Sequence, residues 1–174
     1  LQMEEVKAYF GIIFVSTAII TGSLVMGNMQ FADALRHAAF QVGSIITTTG
    51  YATINFDAWS QTCRTILVLL MFVGACAGST GGGMKVSRFI VMVKTMTKEL
   101  NSYIHPKSVK KIKMDGKPIE HEVVRSINVY LITFMIIFVV SVFAISFEGH
   151  DLVTNFTAVA ATINNIGPGL SMVG

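Results

Sequence analysis

Residues 31–51 read FADALRHAAFQVGSIITTTGY, a short apolar run from Phe31 to Ile46 that stops at Thr47-Thr48-Thr49-Gly50-Tyr51. The run has helical character but is too short to cross a bilayer comfortably, which suits a re-entrant segment that enters and returns on the same side. Three β-branched residues followed by Gly end a helix and favour extended backbone. Asp33, Arg36 and His37 occupy its first turns. Asp33 is expected to complement the helix dipole, and Asp33 with His37 reads as a capping, solvated pair rather than acid–base chemistry.

Working outward, Tyr9–Met26 (YFGIIFVSTAIITGSLVM) carries no charge and is long enough to span as a helix. Beyond Tyr51, a block begins near Trp59 and runs to about Met96. Its first half, TILVLLMFVGACAG, reads as a spanning helix. Then Gly78-Ser79-Thr80-Gly81-Gly82-Gly83 intervenes, and each Gly in a helix interior costs about 1 kcal/mol relative to Ala. A helix break is expected there, with Gly74 and Gly78 retained as a small-residue packing pair. Non-helical backbone at membrane depth is tolerated only inside protein or beside a water-filled cavity, so the break is a candidate functional element. Residues 98–125 are polar, with a hairpin expected at Asp115-Gly116. Ile127–Phe147 is again uncharged and spanning, and the short run Leu152–Ile163 ends in Asn164-Asn165-Ile166-Gly167-Pro168-Gly169.

The chain therefore repeats itself. A spanning helix, a short helix and a polar run meeting Gly occur twice, with Gly50 matching Gly167 and Asp33 matching Asp151. Repeats of this kind are common in membrane transport proteins. The composition agrees: 52% of the 174 residues are hydrophobic and 13% charged, with mean hydropathy +0.63, whereas a soluble domain carries about 25% charged residues. Soluble enzymes and disordered chains are excluded on that ground. The net charge of +3 reflects a local cluster: ten of the thirteen Lys and Arg lie between Lys85 and Arg125. That placement argues against nucleic acid and puts this stretch in the cytoplasm, so both short helices enter from the opposite face with their negative dipole ends inward. The cluster reads equally as a topology-setting loop or as a contact surface for a cytoplasmic partner. The chain opens without Met and stops without a charged residue, and is expected to be an internal piece of a longer protein.

The chemistry centres on the two polar runs. A pore can replace an ion's hydration shell with backbone carbonyls, as the Thr-Val-Gly-Tyr-Gly filter of potassium channels does. Aligned on Gly, this chain reads Thr48-Thr49-Gly50-Tyr51-Ala52 and Asn165-Ile166-Gly167-Pro168-Gly169. Unlike strands on one chain imply a pseudo-symmetric pore. With IITTTGYAT at 45–53, GACAGSTGGGMKVSR at 74–88 and NNIGPG at 164–169, the chain resembles the C-terminal half of a potassium-uptake subunit of the Trk/Ktr/HKT superfamily.

That resemblance implies an all-α polytopic membrane protein built of four helix–pore-loop–helix repeats. Residues 1–96 would be the third repeat, 97–125 a cytoplasmic linker, and 126–174 the fourth repeat without its last helix. Thr48, Thr49, Gly50 and Tyr51 would line one quarter of a potassium filter, and Asn165, Ile166, Gly167 and Pro168 another, with Thr47 and Asn164 flanking. Pro168 stands where channels have Tyr and would loosen discrimination against sodium. Gly74, Gly78, Ser79, Thr80, Gly81, Gly82 and Gly83 would form an intramembrane gating loop, with Lys85 at its cytoplasmic end. The resemblance further implies K+ as the transported ion without an organic cofactor, a bacterial inner-membrane location, a homodimer of the full-length subunit, and a cytoplasmic nucleotide-binding regulatory ring of the TrkA/KtrA kind.

Rival readings are weaker. Gly78 and Gly83 have the outer spacing of a phosphate-binding loop, but Met84-Lys85-Val86 follows where Gly-Lys-Ser/Thr is needed. Asn155-Phe156-Thr157 matches a glycosylation sequon, but inside a short apolar helix. Cys63 and Cys76 form neither a disulfide framework nor a zinc pattern, and His105, His121 and His150 lack ligand spacing. A cation-coupled secondary carrier needs intramembrane ionisable groups, which are almost absent before Lys85. An intramembrane enzyme needs a nucleophile–base pair or metal ligands at depth, and the chain offers none.

Overall fold

The computed structural model describes residues 3–104 and 112–173. His105, Pro106 and, of the basic cluster, Lys107, Lys110 and Lys111 lie outside the described residues. Among the described residues six α-helices follow one another: α1 (Glu4–Met26), α2 (Phe31–Ile46), α3 (Gln61–Val73), α4 (Val86–Ile104), α5 (His121–Ser146) and α6 (Leu152–Ile163). Between α4 and α5 stand two short antiparallel strands, β1 (Lys113–Met114) and β2 (Lys117–Pro118). Asp115 (φ 51°) and Gly116 (φ 79°) make the turn, the pair of left-handed residues that a two-residue hairpin demands.

Helices α1 and α5 have 23 and 26 residues and are apolar enough to cross a membrane. Each is followed within three residues by a left-handed one, Asn28 (φ 70°) and Gly149 (φ 78°), where the chain turns back. The returning helices α2 and α6 then pack against α1 and α5 respectively, while α3 lies against α1, α2 and α6. The core is aliphatic around Ile20, Val42, Ile45, Ile46, Leu67 and Met71, all fully buried. It turns aromatic where Phe72 of α3, Phe138 of α5 and Phe156 of α6 meet, with ring centroids 5.0–6.0 Å apart. Arg88 of α4 lies over the Tyr130 ring of α5 at 4.1 Å. These contacts set the two helix–turn–helix units side by side.

At the α1 N-terminus three distant segments converge. The Glu4 backbone N–H donates to Asp115 Oδ1 at 2.6 Å. Lys94 pairs with the Glu4 carboxylate and donates to Lys113 O at 2.8 Å. The start of α1, the middle of α4 and the hairpin therefore occupy one end of the molecule.

Several expectations are corrected. Helix α3 has only 13 residues and stops at Gly74, whose φ of 64° no helix accommodates. At 1.5 Å per residue it is about 20 Å long and does not span. Gly74 and Gly78 (φ 82°) both lie in irregular backbone, so they are not a helix-packing pair. Asp33 does not cap α2: the N-cap is Gln30 without a side-chain bond, and Asp33 pairs with Arg36 one turn on, at 3.1 Å. His37 instead meets Thr53, Nδ1 to Oγ1 at 2.9 Å. Asp151 does cap α6, accepting from the Thr154 N–H at 3.2 Å and from its hydroxyl.

The Thr154 hydroxyl, then its N–H, holds the Asp151 carboxyl below the usual carboxylate range. A depressed folded-state pKa contributes stability above the unfolded value of about 3.9, lost as pH falls through the folded one. Thermal unfolding of the full-length protein between about pH 5 and pH 3 should accordingly show Asp151→Asn, which caps without titrating, less acid-sensitive than wild type.

Candidate functional site

Three irregular segments meet where α2, α3 and α6 end: 47–51, 74–85 and 164–169. The first and third are built alike. After α2, Thr47 N–H donates to Gly43 O, Thr48 N–H to Ile45 O and Thr49 N–H to Ser44 O, at 3.0, 3.0 and 2.8 Å. After α6, Asn164 N–H donates to Ala160 O, Asn165 N–H to Thr162 O and Ile166 N–H to Ala161 O, at 3.2, 3.1 and 2.8 Å. Bond for bond this is a Schellman termination, in which a left-handed residue closes the helix. Thr48 (φ 57°) and Asn165 (φ 53°) are those residues, and Gly50 (φ 80°) and Gly167 (φ 107°) follow two positions later.

The backbone of both runs therefore alternates between negative and positive φ. The extended strand expected from the threonine run is absent, because the helix-closing bonds to Gly43, Ser44 and Ile45 turn the chain at Thr48. Asn is the ordinary non-Gly occupant of a left-handed helix end, and a β-branched Thr is an outlier, worth of order 1–3 kcal/mol of strain. Its hydroxyl supplies the reason for its presence: Thr48 Oγ1 accepts the Gly82 N–H at 3.0 Å.

The two runs also touch. A Cβ on Gly50 would collide with Ile166 O and come within 3.3 Å of Pro168 Cδ, and one on Gly167 would lie 4.0 Å from Gly50 Cα. The Ser44 hydroxyl donates to Tyr51 O at 2.6 Å and steadies the far side of the first run. Tyr51 is 71% exposed and Ile166 is buried. Thr49 joins Thr47 through their hydroxyls at 2.7 Å.

The glycine-rich segment lies against both runs. A Cβ on Gly82 would collide with Asn164 O, and one on Gly81 would sit 3.3 Å from Thr48 Oγ1 and 3.4 Å from Thr47 O. A Cβ on Gly83 would come within 3.5 Å of Asn164 Oδ1, a buried acceptor that takes no hydrogen bond among the described residues. Close approach thus requires glycine at 82 and crowds a side chain at 81, while Gly83 also has a left-handed φ of 75°. Gly74 closes the loop on itself, since its Cβ would meet Met84 O at 2.8 Å and Gly82 O at 2.9 Å. Lys85 folds back and donates to Ser79 O, Ser79 Oγ and Gly81 O at 2.9, 3.1 and 2.5 Å. Thr80 is exposed, and Gly78 has open space around its Cβ position.

Two contributors escaped the sequence reading. Ser44 is silent in sequence because its role depends on the turn at Thr48. Glu5 is 5% exposed and accepts N–H groups from Ala77 and Ser87 on either side of the break. Its signal was an acid one turn ahead of the uncharged block Tyr9–Met26. Among the described residues no group of three or more His, Cys, Asp or Glu is placed to hold a metal, so the oxygens on offer are backbone carbonyls, hydroxyls and the Asn164 amide.

The packing makes a differential prediction. Gly82→Ala should lower the thermal stability of the full-length protein more than Gly78→Ala, which meets no neighbour and bears only the left-handed backbone penalty of about 1–2 kcal/mol. Equal losses would mean that Gly82 is not pressed against Asn164.

Residues 6–172 match the family described as TrkH, a cation transport protein. The chain is 40% identical over 141 residues to the Trk system potassium uptake protein TrkH of Vibrio parahaemolyticus, covering 81% of this chain and 29% of that protein. It is 34% identical over 172 residues to the TrkH of Escherichia coli, covering 97% and 35%. It superposes on the crystal structure of the potassium transporter TrkH from Vibrio parahaemolyticus with TM-score 0.90 at 35% identity, covering 98% of this chain and 37% of that one. It thus spans about a third of the length of the curated relatives it matches. With nearly its whole length matched, the chain belongs to the TrkH family of cation transport proteins, membrane transporters rather than enzymes.

Proposed function

We propose that this chain supplies two of four quarters of a potassium-conducting pore. Thr48–Tyr51 and Asn165–Pro168 line the filter, with Thr47 and Asn164 at its inner edge, and the segment from Gly74 to Lys85 is the gate. The observation that carries this reading is the repeated alternation of φ at Thr48, Gly50, Asn165 and Gly167. Alternating handedness rotates successive peptide planes in opposite senses, which lets neighbouring carbonyl oxygens line one side of the chain. Such a row replaces the water of a desolvated monovalent cation without any ionised ligand. The negative ends of α2 and α6 add a field of the right sign.

Mechanism follows from contact. Gly81–Gly83 occupy the space beside Thr47 O, Thr48 Oγ1 and Asn164 O, so a cation leaving the filter inward meets backbone instead of water. Flux then requires this segment to withdraw. The hydrogen bond that ties the loop to the runs is Gly82 N–H to Thr48 Oγ1, a neutral contact that suits a gate opening at modest cost.

The proposal places the basic stretch 85–125 in the cytoplasm of a bacterial cell and the short helices on the outer side of its inner membrane. The shared end of α1, α4 and the hairpin agrees with that topology. The full-length protein would work as a homodimer with a cytoplasmic nucleotide-binding regulatory subunit. Its domains would be a third repeat at 1–96, a linker at 97–125 and a truncated fourth repeat at 126–174.

Rubidium uptake into liposomes holding the full-length protein tests the filter. Wild-type uptake should be blocked by potassium far better than by sodium, and Gly50→Ser, whose Cβ collides with Ile166 O, should erase that preference. A preference indifferent to Gly50 would overturn the filter assignment and move a sodium- or proton-coupled carrier ahead. Deleting Gly81–Gly83 should raise flux, and unchanged flux would reduce the segment to packing.

A further inference from the structure

Glu5 sits in the first turn of α1 with its side chain taken out of water. A carboxylate there needs strong compensating partners. Its neighbour Glu4 finds one in Lys94, but Glu5 forms no ion pair among the described residues. Both of its hydrogen bonds come from backbone, and both go to one oxygen: Oε1 accepts the Ala77 N–H at 2.6 Å and the Ser87 N–H at 3.1 Å.

Those donors have no helical carbonyl of their own. Ala77 lies in irregular backbone, and Ser87 is in the first turn of α4, where N–H groups lack intrahelical acceptors and the dipole favours a negative charge. They also bracket the glycine segment, one before it and one after. Val86 N–H to Ala75 O at 3.2 Å draws the same two ends together. A single side-chain atom on α1 thus holds both feet of a loop whose tip touches the two polar runs.

We infer that Glu5 is a positioning residue for the gate. It pins Ala77 and Ser87 to α1, so that residues 81–83 are held against Thr47, Thr48 and Asn164, and loosening these bonds frees the loop. The inference rests on reading the glycine segment as the gate. What it adds is the place where the gate is attached, and an acceptor atom rather than a charge pair as the attachment.

Cys76, a half-buried free thiol beside Ala77, gives a readout separate from flux, while Cys63 is fully buried. The experiment uses the full-length protein in liposomes, with Cys76 as its only cysteine. It follows rubidium flux together with the rate of Cys76 alkylation by N-ethylmaleimide. Glu5→Ala removes two charge-assisted hydrogen bonds and should raise both rates on the order of tenfold. Glu5→Gln keeps Oε1 and should leave both within about threefold of wild type. If Glu5→Ala does not yield folded protein, Glu5→Asp, one methylene too short to reach both donors, should raise both rates.

Wild-type rates in Glu5→Ala or Glu5→Asp would overturn the inference, as would a Glu5→Gln protein that behaves like Glu5→Ala. If deleting Gly81–Gly83 raises flux while Glu5→Ala changes neither rate, the anchor fails and the gate stands. If the deletion leaves flux unchanged, the gate reading fails whatever Cys76 reports.

Discussion

Irregular backbone away from water must find its hydrogen-bond partners within the protein, and the rest of this structure depends on how three such segments satisfy one another. The runs after α2 and α6 borrow carbonyls from the helices they terminate. The glycine segment borrows the Thr48 hydroxyl, the Glu5 carboxylate and the Lys85 ammonium. A bilayer offers no substitute for any of these partners. The long helices α1 and α5, the short helices α2 and α6 and the aromatic contact of Phe72, Phe138 and Phe156 bring the three segments to one place.

The same constraint explains a choice of residue that local preference opposes. Thr48 occupies a left-handed position that Gly or Asn fills more easily, and Asn165 shows the easier solution at the matching place. The strain at Thr48 is offset by what only its side chain does there, reaching Gly82 of the glycine segment. The first polar run is thereby registered against the glycine segment through a single neutral hydrogen bond. The glycines at 81–83 act at the same level: they admit backbone to within contact of Thr47 O and Asn164 O, where any side chain would stand in the way.

Much of this was legible in the residues. Hydrophobic length separated the long helices α1 and α5 from the short α2 and α6, and these two fall at Phe31–Ile46 and Leu152–Ile163, the bounds their apolar runs suggest. The repeat, the break and the Asp115-Gly116 hairpin were visible because Gly, Asp and uncharged length each act locally. The end of α3 was not, since a single Gly74 weighs little against the apolar run around it, and only its close approach to Met84 and Gly82 forces the turn. The conformation of 47–51 was misjudged for a related reason: β-branching favours extended backbone locally, while the capping bonds to Gly43, Ser44 and Ile45 prevail. Asp33 and Glu5 show the limit most clearly. Both are acids in the first turn of a helix, yet one pairs with Arg36 at the surface and the other anchors a loop more than seventy positions away along the chain. No local pattern distinguishes them.

The central claim is that carbonyl oxygens of the two matched runs bind a dehydrated monovalent cation. Anomalous diffraction from crystals of the full-length protein grown in rubidium tests it most directly. The account predicts rubidium peaks beside the backbone of Thr48, Thr49, Asn165 and Ile166, displaced by added potassium far better than by added sodium. Rubidium bound elsewhere in the membrane region, with none beside those residues, would contradict it.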